Sequence, residues 1–180
     1  RTSRHRPHTP PQWAANGALI NGWANDQAKL HLSAAGAGGA IIAWQDFRTN
    51  ANFDIYAQRV NSAGAIQWRT DGVPISTGIG NQDISQLTAD GAGGAIIVWQ
   101  DKRSIATYDV YAQRVNSAGV AQWTANGVAI STAVGNQNFP ELAGDGAGGA
   151  IFVWRDERRG TFNWDIYVQV VNGTGVLLLP

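Results

Sequence analysis

The sequence predicts an all-β protein made of three tandem units, each with four antiparallel strands. The first observation is a repeat: the pentapeptide AGGAI recurs at residues 37, 92 and 147, which sets a period of 55 residues. The second is that every unit alternates short apolar stretches with glycine-rich turns. The third is that no segment shows the 3.6-residue period of an amphipathic helix. The strands are therefore expected to pair within hairpins.

The middle unit illustrates the four strands. Residues 84–90 alternate between apolar and polar, and the DGAGG that follows is a turn whose residues tolerate positive φ. Residues 95–101, AIIVWQD, are apolar nearly throughout, which is typical of a strand covered on both faces. The loop KRSIAT leads to a third strand over residues 109–116. Residues 120–131 are predicted to form a fourth strand, interrupted near TANG.

The repeat divides the chain into a tail and one domain. Residues 1–12 contain three arginines and three prolines without an apolar pattern, so we predict a disordered basic tail. Residues 13–180 form a single repeat domain, with units at about 13–67, 68–122 and 123–178 and no linker between them. The third unit has one extra residue between Arg158 and Asp165.

Composition excludes several classes of function. The 13 basic and 13 acidic residues balance, and removing the three arginines of the tail leaves 10 against 13, a net charge of −3. Such a domain does not attract nucleic acid by bulk charge. The chain has no cysteine, which excludes disulfides and thiolate metal sites. No apolar run approaches the roughly 20 residues of a membrane span.

Residues 144–175, GDGAGGAIFVWRDERRGTFNWDIYVQVVNGTG, resemble the TolB-type propeller repeat. The shared pattern is a strand, a DG turn, an apolar strand, a D-x-R loop, D-I-Y and a second DG-like turn. All three units carry it, although they are longer than the family pattern and lack its usual Ser-Pro before the first turn. A looser architectural likeness links the chain to the fucose-binding propeller lectins. The resemblance implies β-propeller blades and a secreted or cell-surface location, as in bacterial propellers.

Three blades raise the question of closure, because propellers typically have four to eight and three leave sheet faces and edges exposed. The first unit begins at Trp13 in the middle of a fourth strand, and VLLLP at residues 176–180 begins another. Residues 13–20 are thus expected to complete the last blade of the same chain or of a partner. We favour the partner, which gives a homodimer with six blades. The alternative fold is a β-trefoil, which also uses three four-stranded units and closes alone.

The loop pattern D-x-R…D-x-Y, preceded by a Trp, supplies the candidate ligand-binding residues. An Arg between two carboxylates can fasten a loop through bidentate pairs, and we consider that the more common use of such residues. Sugars, in contrast, need carboxylates for their hydroxyls and a flat ring for their C–H face. The Trp lies two residues before the first Asp and shares its strand face. The nine candidates are Trp44, Asp46, Arg48, Trp99, Asp101, Arg103, Trp154, Asp156 and Arg158.

Catalytic, metal and cofactor sites find little support. The three histidines have no metal-ligand spacing, and the turns at Asp90 and Asp145 offer one carboxylate each, too few for calcium. Glu157 with Asp156 or Asp165 keeps a glycosidase as a third hypothesis. The favoured function is a non-enzymatic, lectin-like module with one glycan site per blade, and the alternative is a structural or protein-interaction scaffold. No cofactor is expected.

The third unit differs from the others in its third strand. Val168 replaces the alanines of the first two copies, and Val170 replaces their arginines. Alternation places these two positions on one face, together with Ile166. This face is more apolar than its copies, so we expect it to meet a different neighbour, at ring closure or at a dimer seam.

Overall fold

A computed structural model describes residues 14–179, without the side chains of Ile84 and Ser85. Within that part every regular element is a strand, so the predicted all-β class is confirmed. The first sheet contains β1 (Gln27–Ala34), β2 (Ala40–Asp46), β3 (Asp54–Val60) and β4 (Val73–Ser76). The second contains β5 (Gln82–Ala89), β6 (Ala95–Asp101), β7 (Asp109–Val115) and β8 (Val128–Ser131). The third contains β9 (Gln137–Gly144), β10 (Ala150–Asp156) and β11 (Asp165–Val171).

Each sheet is an antiparallel meander in which sequence neighbours are hydrogen-bonded neighbours. The central pairing has the same register three times, with Trp44 opposite Tyr56, Trp99 opposite Tyr111 and Trp154 opposite Tyr167. The first strand of each sheet carries a bulge near its start. The sheets are therefore three copies of one structure, and they differ mainly in the fourth strand, which the third sheet lacks among the described residues.

The fourth strand is much shorter than predicted. Instead of residues 120–131, only Val128–Ser131 is a strand, and Ala121 forms a single bridge to Val115. The reason is the side chain of Gln113, whose Oε1 accepts the Trp123 N–H at 2.9 Å and whose Nε2 donates to the Thr124 carbonyl at 2.8 Å. The Gln113 side chain therefore makes the hydrogen bonds that a neighbouring strand would otherwise make. Strand propensity does not predict such a replacement.

The expectations for the start of the chain have mixed outcomes. The predicted tail, residues 1–12, and Trp13 lie outside the described residues. Residues 14–26 contain turns and bends but no strand, so residues 14–20 of the predicted strand at 13–20 are not paired in this chain. The repeat units that begin at the tryptophans start before a fourth strand, and each four-stranded sheet therefore draws on two consecutive units.

The sheets pack face to face in chain order, with one apolar core between each pair. The first core joins Ile41 and Ala57 of the first sheet to Ile97 and Trp99 of the second. The second core joins the opposite face of the second sheet to Phe152 and its neighbours. Residues 14–179 thus form three separate stacked sheets and no closed barrel, so the β-trefoil alternative is wrong: strand pairing stays within each sheet.

The two outer faces of the stack remain uncovered. On the third sheet Ile166 is 73% exposed, whereas its counterpart Val110 in the second sheet is fully buried. At the other end Leu32 is 66% exposed, whereas its counterpart Leu87 is 7% exposed. The described residues include no helix long and apolar enough to cross a membrane.

Candidate functional site

The Trp–Asp–Arg set lies where the second strand of each sheet ends. The carboxylate is fully buried in all three copies. The indole two residues earlier donates its Nε1–H to the carboxylate Oδ2 at 2.8 Å in every sheet, because alternation brings both side chains to one face. The three tryptophans are Trp44, Trp99 and Trp154, and their carboxylates are Asp46, Asp101 and Asp156.

The arginine two residues after each carboxylate grips it from the loop. Arg103 donates Nε to Asp101 Oδ1 at 2.8 Å and Nη2 to Oδ2 at 2.6 Å, a bidentate pair. Its backbone N–H also donates to Oδ1 at 2.8 Å. The guanidinium stacks on the ring of Tyr111 at 3.7 Å from the centroid. The first and third sheets repeat each of these contacts within 0.1 Å.

The same arginine ties the second strand to the chain before the fourth strand. Nη2 of Arg48 donates to the carbonyl of Asp71 at 2.9 Å, and Nη2 of Arg103 donates to that of Asn126 at 2.8 Å. In the third sheet Nη2 of Arg158 instead donates to the hydroxyl of Ser131 at 3.3 Å. In the first two sheets the set therefore fastens strands two, three and four at one point, whereas in the third sheet it joins β10 and β11 to β8 of the second sheet.

At this point the pKa values of two facing carboxylates are shifted in opposite directions. Burial opposes the charge of Asp46, but hydrogen bonds from Arg48 and Trp44 outweigh it and hold the pKa of Asp46 below its usual value. Asp54 lies directly across the strand pair, accepts a hydrogen bond from Asn52, and is nearly fully buried. Burial raises the pKa of Asp54 to about 6, and the nearby charge of Asp46 adds to the rise.

The indole rings have no open face for a sugar. Trp99 is fully buried, and Trp44 and Trp154 are each 4% exposed. Carbohydrate stacking needs an accessible ring, and the hydrogen-bonding atoms of the three aspartates are engaged by Arg and Trp in every copy. The geometry of all nine candidate residues thus supports the fastening interpretation.

Glu157, the residue on which a glycosidase would depend, is held in its loop. Its carboxylate accepts the backbone N–H of Phe162 at 2.9 Å and the Nδ2–H of Asn136 at 2.7 Å. These hydrogen bonds lower the pKa of Glu157. A general acid for glycoside hydrolysis needs a raised pKa, so this arrangement suits a loop fastener better than an acid.

The aspartates of the glycine turns also bind their own backbone. Asp90 Oδ1 accepts the N–H groups of Ala92 and Gly94 at 2.8 and 2.7 Å, and Arg114 forms an ion pair with its Oδ2 at 3.0 Å. Asp145 makes the equivalent turn contacts. No group of three or more acidic or histidine side chains within residues 14–179 is placed to hold a metal ion.

The structure brings together polar residues that the sequence reasoning missed, at the junctions between sheets. Phe53 donates its N–H to Asn81 Oδ1 at 3.0 Å and accepts the N–H of Gln82 at 2.8 Å. Tyr108 makes the same two contacts with residues 136 and 137, at 3.1 and 2.8 Å. We call this two-bond contact the junction clasp. Its only signal in the sequence is the repeated NQ dipeptide at residues 81 and 136.

A cleft of about 330 Å³ lies beside the first junction clasp, between the loops of the first and second sheets. Asn52, Asn81 and Lys102 contribute its polar groups, and Ile105 lies at its side. A second groove, of about 270 Å³, runs along β11 and is lined by Trp154, Arg158 and Tyr167 among others. These are the two concave features that bear on binding.

Comparison with known proteins identifies no relative. The chain matches no family model, and it has no significant match among curated proteins or solved structures.

Proposed function

We propose that the chain is a non-enzymatic interaction module whose sheets continue, through both end faces, into further sheets of the same kind. One observation carries this proposal. The outer face of the third sheet exposes Ile151, Val153, Ile166 and Val168, and the residues at the same positions of the second sheet are fully buried against a neighbouring sheet. Exposed contiguous apolar faces mark interaction surfaces.

The occupant that fits this face is the first sheet of a second copy. Across the first junction, Lys29 forms a 2.7 Å ion pair with Asp83. In the register of the repeat, the third sheet presents Phe139 at the position of Lys29, and a second copy would place Ala28 at the position of Asp83. An ionic pair inside the chain thus corresponds to an apolar pair at the proposed seam.

Charges at the seam also match. Gln45 of the first sheet donates to the Gln82 carbonyl of the next sheet at 2.8 Å. Arg155 holds the same position on the third sheet, with its guanidinium 4.7 Å from the Trp164 ring centroid. The residue that Gln45 contacts corresponds to Gln27 of a second copy, and directly before it the second copy would offer Asp26, at the position of Asn81 and Asn136. Both changes introduce charge, and the charges are opposite.

A homodimer in which two copies complete a six-bladed propeller is the form we propose for this assembly. Two head-to-tail contacts related by a two-fold axis leave no outer face exposed. Light scattering should give twice the 19.2 kDa of one chain. Val153→Asp should give folded monomers, because it places a charge in the seam. Val120→Asp, on an exposed turn, is the matched control and should stay dimeric. A wild-type monomer at high concentration would contradict the proposal.

Glycan binding is the second candidate function, favoured by the cleft beside the first junction clasp. Two amides and a lysine converge there, and such groups suit sugar hydroxyls. Binding of immobilised glycans that is lost in Lys102→Ala but kept in Arg158→Ala would support this site over the Trp–Asp–Arg sets. A secreted or cell-surface location, implied by the propeller resemblance, fits both functions and stays a prediction.

A further inference from the structure

We propose that residues 14–22 of a second copy supply the fourth strand of the third sheet. This inference rests on the proposed self-stacking and specifies how the seam is closed. In the first two sheets the third strand pairs with a fourth, β4 or β8. At the corresponding edge of β11, Val171 forms a bridge to Leu177 and the Val170 carbonyl accepts the Leu178 N–H at 2.8 Å. No strand among the described residues pairs with the rest of that edge. An open edge of this kind is a template for strand addition.

The incoming segment already has the turn that precedes a fourth strand. Gly17 donates its N–H to the Ala14 carbonyl at 3.0 Å and has φ of 92°. Gly72 and Gly127, which begin the approach to β4 and β8, have φ of 87° and 88° and make the equivalent bond at 3.0 and 2.9 Å. Residues 18–21, ALIN, then correspond to VPIS of β4 and VAIS of β8.

The segment also lies in the position that the fourth strand of a sheet packed on the outer face of the first sheet would occupy. The N–H of Gly22 donates to Asp71 Oδ1 at 2.9 Å. The N–H of Thr77, which follows β4, donates to Asn126 Oδ1 at 3.0 Å in the next sheet. Residues 18–21 therefore occupy the same position relative to the first sheet as β4 occupies relative to the second sheet. A second copy stacked on this end face brings its β11 edge to them.

The groove along β11 has the groups that such a strand would meet. In the first sheet a Cβ on Gly72 would lie 2.6 Å from the Trp44 ring, and in the second a Cβ on Gly127 would lie 2.5 Å from the Trp99 ring. Gly17 has nothing within 4 Å of its Cβ position. Trp154 lines the groove of about 270 Å³ and is the indole that remains for Gly17 of a second copy.

Arg158 supplies a second matching contact. Its counterparts donate to the carbonyls of Asp71 and Asn126, the residues just before Gly72 and Gly127. Asn16 holds that position before Gly17. The Nη2 of Arg158 is therefore expected to donate to the Asn16 carbonyl of the second copy. In the other two sheets the third and fourth strands pair Ala57 with Val73 and Ala112 with Val128, which predicts Val168 opposite Ala18 of the second copy.

Cross-linking between single-cysteine variants tests the inference, and the absence of native cysteine makes it clean. Ala18→Cys and Val168→Cys are mixed and oxidised with a mild thiol oxidant, then analysed by gel electrophoresis without reductant. The expected result is a disulfide-linked heterodimer as the main product. Ala18→Cys mixed with Val120→Cys, on a distant turn, is the control and should give no more than background.

Light scattering on the same chain separates this inference from the proposed function. Dimers without the Ala18–Val168 cross-link would overturn the strand exchange and leave self-stacking intact. A wild-type monomer would overturn both. A cross-link within one chain carrying both cysteines, at concentrations where the chain is monomeric, would assign the strand to the same copy and overturn the exchange.

Two glycine variants test the groove independently. Gly17→Ala should weaken dimerisation at least tenfold, since its Cβ would meet Trp154 of the partner copy. Gly36→Ala is the matched control, because Gly36 has φ of 74° and also has nothing within 4 Å of its Cβ position. Both variants carry the same backbone strain. Equal dimerisation constants for the two would overturn the proposed contact.

Discussion

The second and third sheets have the same register between their two central strands, yet one sheet is covered on both faces and the other on one. Val98 of the second sheet is fully buried, whereas Val153 at the same position of the third is 38% exposed. The repeat has the same apolar residue, valine, at both positions. The difference shows that position in the stack decides whether a residue acts as core or as surface.

The largest effect is expected from placing a charge at this position in each sheet. Val98→Asp buries an unpaired carboxylate between two sheets, which should cost at least about 4 kcal/mol and prevent stable folding. Val153→Asp should change the free energy of unfolding of the monomer by less than about 1 kcal/mol. Urea denaturation followed by tryptophan fluorescence measures both. Equal losses would show that the third sheet is not a free face.

The buried fastening set is expected to matter next. Asp101→Ala leaves the guanidinium of Arg103 and the indole N–H of Trp99 without their acceptor in a buried site, at a cost of about 3–5 kcal/mol. Asp83→Ala removes only a solvent-exposed ion pair with Lys29 and should cost less than about 1 kcal/mol. Thermal unfolding ranks the two variants. A small effect of Asp101→Ala would mean that its contacts do not hold the sheet together.

Two turn glycines compare a covered sheet with an open one. Gly127→Ala places a methyl group 2.5 Å from the Trp99 ring at φ of 88°, so we expect a loss of about 2–4 kcal/mol. Gly17→Ala has the same backbone strain without the clash and should cost the monomer about 1 kcal/mol. Denaturation at concentrations below the dimerisation constant measures the change in the free energy of unfolding of the monomer for each variant. Similar losses would indicate that strain alone governs both turns.

The smallest effect concerns pH. Burial raises the pKa of Asp54 from 3.8 to about 6, so the folded state retains a proton that the unfolded state releases between pH 4 and pH 6. The contribution of Asp54 to stability is therefore present below about pH 4 and lost as pH rises through 6. Asp54→Asn should remove about 1–2 kcal/mol of this decline between pH 4 and pH 7. Parallel pH profiles for variant and wild type would contradict it.

The sequence predicted the central strands well and the fourth strand poorly. Residues 95–101 were expected as an apolar strand and form β6, because a strand buried on both faces has an unmistakable composition. Residues 120–131 were expected as a strand, but only the last four are, since the amide of Gln113 takes over the hydrogen bonds near Trp123. Such a side-chain substitute for a ladder depends on tertiary placement.

For the candidate residues, the sequence predicted the contacts among them but not their accessibility. The spacing of Trp99, Asp101 and Arg103 correctly placed them on one sheet as a connected set. Alternation states which side chains share a face, but it does not state whether another sheet covers that face. The junction clasp of Asn81 with Phe53 was not predicted, because it joins backbone groups of two sheets that are remote in the sequence.

By itself the sequence determined the period, the all-β class, the glycine turns and the repeated Asp–Arg pairs. Each of these depends on residues that are close together in the sequence, so strand geometry is enough to predict it. Tertiary structure alone decided which copies are buried. The same Val and Ile positions become core between two sheets and remain exposed at the end of the stack, since burial is a property of neighbours and not of the residue.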